Sequence, residues 1–173
     1  MWAVPQGCAE DRVLLCTHGG GYAAGSMYSH RKLYAHFAKA VGCKSLIVHF
    51  RRAPEFTHPA QVDDTLAAYA WLLGQGYQPA HIATLGDSAG GALATAACLA
   101  ARDKGLPLPA ASMPISPRYD REAKGASTTT NANKDCLASE GLTLSMAATF
   151  LGGASPHDPL ARPLFADLHP GWR

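Results

Sequence analysis

The 173-residue sequence has no strong charge of either sign: its net charge is +2, and only 16% of its residues are Asp, Glu, Lys or Arg. Its basic residues are scattered, with pairs such as Arg31-Lys32 and Arg51-Arg52 but no long run. The pairs read as solvated or ion-paired surface, and binding to nucleic acid is not expected. There is no Cys-x-x-Cys among Cys8, Cys16, Cys43, Cys98 and Cys136. An odd number of scattered cysteines argues against both a disulfide framework and a zinc site, and fits reduced thiols in a cytoplasmic protein. Eight histidines are present without a His-Glu-x-x-His or comparable spacing, so no metal is expected. No apolar run reaches the ~18 residues of a membrane span, and no charged segment followed by an apolar one opens the chain. A soluble, cytoplasmic chain without a membrane span is the expectation.

Nucleotide-binding loops are missing as well. Gly20 to Gly25 has the interval of a phosphate loop, but Ser26-Met27 follows where Lys-Ser/Thr is required. A dinucleotide fingerprint starting at Gly19 would need glycine at Ala24. No cofactor is expected.

What the sequence does contain is an apolar run feeding a glycine-flanked serine. His81-Ile82-Ala83-Thr84-Leu85 leads into Gly86-Asp87-Ser88-Ala89-Gly90-Gly91, and a small-residue run from Ala92 to Arg102 leads out. This reads as strand, sharp turn and helix, the setting of a G-x-S-x-G nucleophile elbow. Gly86 and Gly90 leave space where side chains would clash, Ser88 becomes the candidate nucleophile, and the backbone N–H of Ala89 lies at a helix N-terminus that favours negative charge. The competing reading is that Ser88 or Asp87 merely caps the helix. Upstream, His18-Gly19-Gly20-Gly21-Tyr22 follows a strand-like run, Arg12 to Thr17. Consecutive glycines let the backbone approach a ligand and aim N–H groups at one point, so Gly20 and Gly21 join Ala89 as candidate oxyanion-hole donors. His18, Gly19 and Asp87 are expected to shape these motifs.

With 47% hydrophobic residues the chain is read as one α/β domain over residues 1–173. Strands are expected at Arg12–Thr17, Ser45–Phe50, His81–Leu85 and Ala110–Ser116. Helices are expected at Ser29–Val41, Gln61–Gly74, from Ala89 to about Lys104, and at Glu140–Leu151. Alternation of strands and helices implies a parallel sheet, in the spatial order second, first, third, fourth. Met1 to Asp11 reads as a loose lead-in and Pro117 to Lys134 as a loop.

The order of five blocks carries a resemblance: HGGGY at His18–Tyr22, Phe50-Arg51-Arg52-Ala53-Pro54-Glu55, GDSAGG at Gly86–Gly91, Ser116-Pro117, and Asp158 to Leu168. Together they resemble the hormone-sensitive-lipase-like carboxylesterases of the α/β-hydrolase superfamily. The resemblance covers nearly the whole chain. It implies an α/β-hydrolase core, hydrolysis of small-molecule esters with short or medium acyl chains, a Ser-Asp-His triad and no cofactor. It makes Arg51 and Glu55 scaffold residues and His18 a shaper of the glycine loop. The sequence departs from the family after Ser116-Pro117, where Arg118-Tyr119-Asp120-Arg121-Glu122 puts charge in place of the packing Trp and Leu.

In the family, strands carrying the triad Asp and His come after the segment matched by Asp158 to Leu168, and lid helices and two opening strands come before the glycine loop. These segments are expected to be missing here, leaving nucleophile and oxyanion hole without a base. Ser88, Asp158 and His169 have the chain order of a triad, but Asp158 sits in a Pro-bounded loop and nothing after Arg173 anchors His169. The expected function is therefore a weak or inactive ester hydrolase. A non-catalytic acyl- or ester-binding module and a non-functional truncated product are the alternatives. Strands Ser45–Phe50 and Ala110–Ser116 would present open edges, through which homo-oligomers are expected to form.

Overall fold

Val13, Leu14, Leu15 and Cys16 are all buried, with none of the in-out alternation of a half-exposed strand. That is the pattern of a central strand covered on both faces. In the computed structural model, which describes residues 1–168, these residues belong to β2 (Ala9–Thr17), the middle strand of a five-stranded sheet. Around it lie β1 (Trp2–Ala3), β3 (Cys43–Ile47), β4 (Ile82–Asp87) and β5 (Ala111–Ile115), in the order β1-β3-β2-β4-β5. The β3-β2-β4-β5 part is parallel, in the order expected from the sequence.

Successive β2 side chains enter different cores. Val13 and Leu15 pack with Ile82, Leu66, Tyr69, Leu72, Leu93 and Phe150. Leu14 and Cys16 pack with Tyr34, Cys43, Ile47 and Leu85 on the opposite face. Helices α2 (Ala60–Gly74), α3 (Ala89–Asp103) and α5 (Glu140–Leu151) supply the first core, and α1 (Met27–Val41) supplies the second. Every residue of α3 from Ala89 to Ala101 is buried. Its alanines and glycines let it lie close on the sheet, while Leu93 and Leu99 each contribute about 1.5–3 kcal/mol by burial.

Helix α1 begins at a capping box in which Ser26 Oγ accepts from Ser29 N and Ser29 Oγ accepts from Ser26 N. It stops at Gly42, whose φ of 74° is left-handed and whose N–H returns to Ala38 O.

Three expectations are corrected. The lead-in is partly ordered as strand: β1 pairs antiparallel with β3, Trp2 opposite Leu46 and Ala3 opposite Ser45, and β2 already begins at Ala9. The Met1 ammonium donates to Ile47 O at 2.9 Å, and the Trp2 ring lies 6.3 Å from Trp71 and 6.5 Å from Tyr77. The edge expected to be open along Ser45–Phe50 is thus covered over Ser45–Ile47. The strand itself ends at Ile47, and His49 is exposed. The segment read as a loop contains a short helix, α4 (Ala126–Thr130). At the other side of the sheet β5 carries Pro114, a residue that lacks the N–H a central strand needs, and its Met113 and Ile115 are partly exposed.

The charged stretch after Pro117 is folded inward. Arg121 is 3% exposed, with its guanidinium carbon 4.9 Å from the Tyr22 ring centre and 5.1 Å from that of Phe150. Its Nε donates to Ala161 O at 2.8 Å and its Nη2 to Tyr22 Oη at 2.7 Å. Arg51 contrasts with it, making a bidentate pair with Asp64 on the surface. Urea denaturation distinguishes the two. Arg121→Ala is expected to lose about 3 kcal/mol or more, from two bonds made by a buried cation, whereas Arg51→Ala leaves the midpoint nearly unchanged because exposed pairs are screened.

Candidate active site

Strand β4 pairs with β2 as far as Thr17 opposite Gly86, and the chain then turns through Ser88 into α3. The turn is tight because backbone passes backbone. A Cβ on Gly86 would lie 2.7 Å from Thr17 O, and one on Gly90 would lie 2.6 Å from His18 O. Thr17 Oγ1 closes the same contact by donating to Gly90 O at 2.7 Å. Ser88 is left with φ 52° and ψ −118°, a conformation that L residues adopt only under constraint. Its N–H donates to Ile115 O at 2.9 Å, and its carbonyl accepts from Ala92 N at 3.2 Å and Arg118 N at 3.0 Å.

The Ser88 side chain is exposed and does not cap the helix, so the capping reading fails. Among the described residues no group hydrogen-bonds its hydroxyl. The strained backbone leaves that hydroxyl exposed and the helix end without a side-chain cap.

The glycine loop is tied to this turn by Asp87. Its Oδ1 accepts from Gly19 N at 3.0 Å and from Tyr34 Oη at 2.7 Å, and His30 Nε2 lies 3.5 Å from its Oδ2. Burial and the adjacent carboxylate push the Tyr34 phenol pKa up, so it stays a donor. Beyond Gly19 the chain folds over itself with φ 117° at Gly20 and 63° at Gly21, and Gly20 O accepts from Ala23 N and Ala24 N. The N–H groups of Gly20, Gly21 and Ala89 donate to no protein acceptor among the described residues.

His18 is fully buried, stacked 4.3 Å from Phe50, with Nδ1 2.8 Å from Gly19 O and Nε2 without a hydrogen-bond partner among the described residues. Burial pushes its pKa down, outweighing the opposing effect of the Gly19 carbonyl. It is therefore a neutral wedge under the loop.

Sequence reasoning missed three supports of the loop. Arg52 Nη1 donates to Gly25 O at 2.6 Å, Arg121 holds Tyr22, and Tyr22 stacks on Phe150 at 3.9 Å. Arg52 was visible as part of the Phe50–Glu55 block, but its target was not. Asp158 is engaged elsewhere: its Oδ2 lies 3.0 Å from His58 Nε2, and its backbone and carboxylate cap the turn at Leu160 to Arg162. The other member of the formal substitute triad, His169, lies outside the described residues. Among the described residues no three His, Cys, Asp or Glu side chains cluster as a metal site, and no helix is long and apolar enough to cross a membrane.

A parallel sheet whose middle strands deliver a strained serine to a helix N-terminus, beside a glycine loop, is the architecture of an α/β hydrolase. The chain belongs to the alpha/beta hydrolase fold family, which matches it over residues 14–171. It is similar to an acetyl-hydrolase of Streptomyces hygroscopicus, at 46% identity over 92% of this chain and 53% of that protein. An esterase of Acinetobacter venetianus is 32% identical over 92% of this chain and 53% of its own length. Among solved structures, an esterase of the bacterial hormone-sensitive lipase family superposes with a TM-score of 0.95 at 51% identity, over 96% of this chain and 56% of that one. A hormone-sensitive lipase from a metagenome library gives 0.92 at 36% identity, over 95% and 55%. The resemblance to carboxylesterases of this kind therefore holds across the chain, which spans about half the length of the relatives it matches.

Two measurements test the local account. Gly90→Ala is expected to cost about 3 kcal/mol or more in urea denaturation, since backbone rather than a flexible side chain blocks the new methyl. Gly74→Ala, in open space at the end of α2, is expected to stabilise slightly. His18 should titrate below the ordinary imidazole value of 6.5 by NMR. The unfolded chain then binds a proton that the folded chain refuses, so stability present above about pH 6.5 is lost as the pH falls through it, and the loss is smaller in His18→Gln.

Proposed function

We propose that the chain carries the nucleophile and oxyanion-binding half of a carboxylic ester hydrolase site, with Ser88 as the nucleophile. The observation that carries this is the exposed hydroxyl of a strained Ser88, unused in capping, beside unpartnered backbone N–H groups. The substrates are small esters, and the names of the acetyl-hydrolase and esterase relatives favour short acyl groups.

In this reading Ser88 Oγ attacks the ester carbonyl carbon. The developing oxyanion accepts from the N–H groups of Gly20, Gly21 and Ala89, as an oxyanion hole requires. Loss of the alcohol leaves an acyl-serine, which water hydrolyses. His18, Gly19 and Asp87 hold the loop in place and touch no reacting atom.

The slow element is proton removal from Ser88, because no described imidazole is bonded to its hydroxyl. An oxyanion hole and binding without the triad give roughly 10³–10⁴-fold acceleration over water. On this reading the described residues alone support weak hydrolysis.

The test is prolonged incubation with diethyl p-nitrophenyl phosphate, followed by intact-mass and peptide mapping. One diethylphosphoryl adduct on Ser88, absent from Ser88→Ala, is expected, together with p-nitrophenyl butyrate turnover within the limit above. Labelling at another residue, or equal labelling of Ser88→Ala, sinks the reading.

A further inference from the structure

Asp87 has two carboxylate oxygens, and the anchoring of the glycine loop uses one of them. Oδ1 accepts from Gly19 N at 3.0 Å and from Tyr34 Oη at 2.7 Å. Oδ2 lies against Gly19, in the space that a side chain there would need, and faces His30 Nε2 at 3.5 Å. His30 stands near the start of α1, half-buried, with its ring 6.0 Å from that of Tyr34 and 5.5 Å from that of His18.

The surroundings of this imidazole suit either of its protonation states. Nδ1 lies 2.8 Å from Ser29 Oγ, which also lies 2.9 Å from Ser26 O and accepts from Ser26 N at 2.9 Å. With His30 neutral and its proton on Nε2, the Ser29 hydroxyl donates to Nδ1, and Ser26 O keeps the backbone N–H of His30 at 3.3 Å. With His30 charged, Nδ1–H donates to Ser29 Oγ and the hydroxyl turns to Ser26 O. Neither state strands a donor. The titratable and charged groups round the ring are Asp87, Tyr34 and His18, with Arg52 acting on His18 while bound to Gly25 O. Burial pushes the His18 pKa down and the Tyr34 pKa up, so neither of them supplies a charge here.

We propose that His30 is a positioning residue of the glycine loop, whose protonation adds an ion pair to Asp87 and tightens the hold of that carboxylate on Gly19 N. Its consequence for catalysis rests on the reading of Ser88 as the nucleophile, since Asp87 immediately precedes Ser88 and Gly19 immediately precedes the loop's two oxyanion donors. An imidazole is the side chain that gains and loses a proton between pH 5 and 8. An ion pair in reach of solvent is worth little, so the expected effect is about two- to five-fold.

The test follows hydrogen exchange of the Gly19 amide in the 173-residue chain by NMR, corrected for the pH dependence of an unprotected amide, beside the titration of the His30 ring protons. Protection of Gly19 N–H is expected to fall about two- to five-fold as His30 loses its proton, with the same midpoint, and to stay level in His30→Gln. The rate of Ser88 diethylphosphorylation in the unaltered chain, divided by that in His30→Gln, is expected to fall over the same interval. Should the variant not fold, coincidence of the Gly19 and His30 midpoints in the unaltered chain decides the matter. Flat protection of Gly19, a step at another group's midpoint, or a step that survives in His30→Gln overturns the assignment of His30. A flat ratio of labelling rates overturns its catalytic consequence and leaves Ser88 standing. Absence of Ser88 labelling at every pH overturns the Ser88 reading, and the Gly19 step then settles by itself whether His30 holds the loop.

Discussion

The arrangement depends on one contact: the carboxyl end of β2 lying directly on the turn between β4 and α3. Thr17 and His18 meet Gly86 and Gly90 backbone to backbone, and the Thr17 hydroxyl binds Gly90 O. Because β2 and β4 are paired along their length, the position of Thr17 is fixed by the sheet, and the turn has to pass beneath it. A serine with positive φ costs of order 1–3 kcal/mol. That cost is borne by α3, whose burial along almost its whole length keeps the turn from relaxing. The same strand continues into the glycine loop, so one contact positions both the serine turn and the start of that loop.

Asp87 extends the contact sideways. By accepting from Gly19 N and Tyr34 Oη it joins β4, the loop and α1, with no need for a charge partner in full contact. On the other side of the loop the device is a cation. Arg121 lies against two aromatic rings and spends its N–H groups on Ala161 O and Tyr22 Oη, so a charged side chain does the packing that an apolar one does in the family pattern. Where the family pattern has an apolar wall after Pro117, this chain has arginines and acids, and Arg121 still supports the loop through Tyr22.

The strands and the turn were legible because their signals are local. An apolar run of β length, glycines two residues either side of a serine, and small residues down a helix need no knowledge of distant partners. The capping alternative for Ser88 could not be dismissed in the same way, since it depends on where a hydroxyl points. What was not legible depends on distant pairing. β1 is two residues long and exists only because β3 offers an edge and Trp71 and Tyr77 offer surface to Trp2. Arg121 reads as surface in any composition count, and its burial follows from Tyr22, 99 residues away in sequence. His58 and Asp158, 100 residues apart, gave no sign of each other.

Those pairings also bear on how far the chemistry goes within the described residues. A serine hydroxyl near neutral pH needs a base that is free to take its proton and a group that holds that base in the right tautomer. The two buried histidines are both committed. His18 is wedged between Phe50 and the Gly19 carbonyl, and His58 is locked to Asp158 beside Phe150. His30 is turned towards Ser29 and Asp87. Each histidine shapes the scaffold that presents Ser88, and none is bonded to its hydroxyl. On the proposed reading, charge stabilisation and nucleophile presentation rest on the sheet and its turns. Proton transfer is a separable function that this part of the fold does not itself require, which is why the elbow and the loop can be intact at family geometry whatever supplies the base.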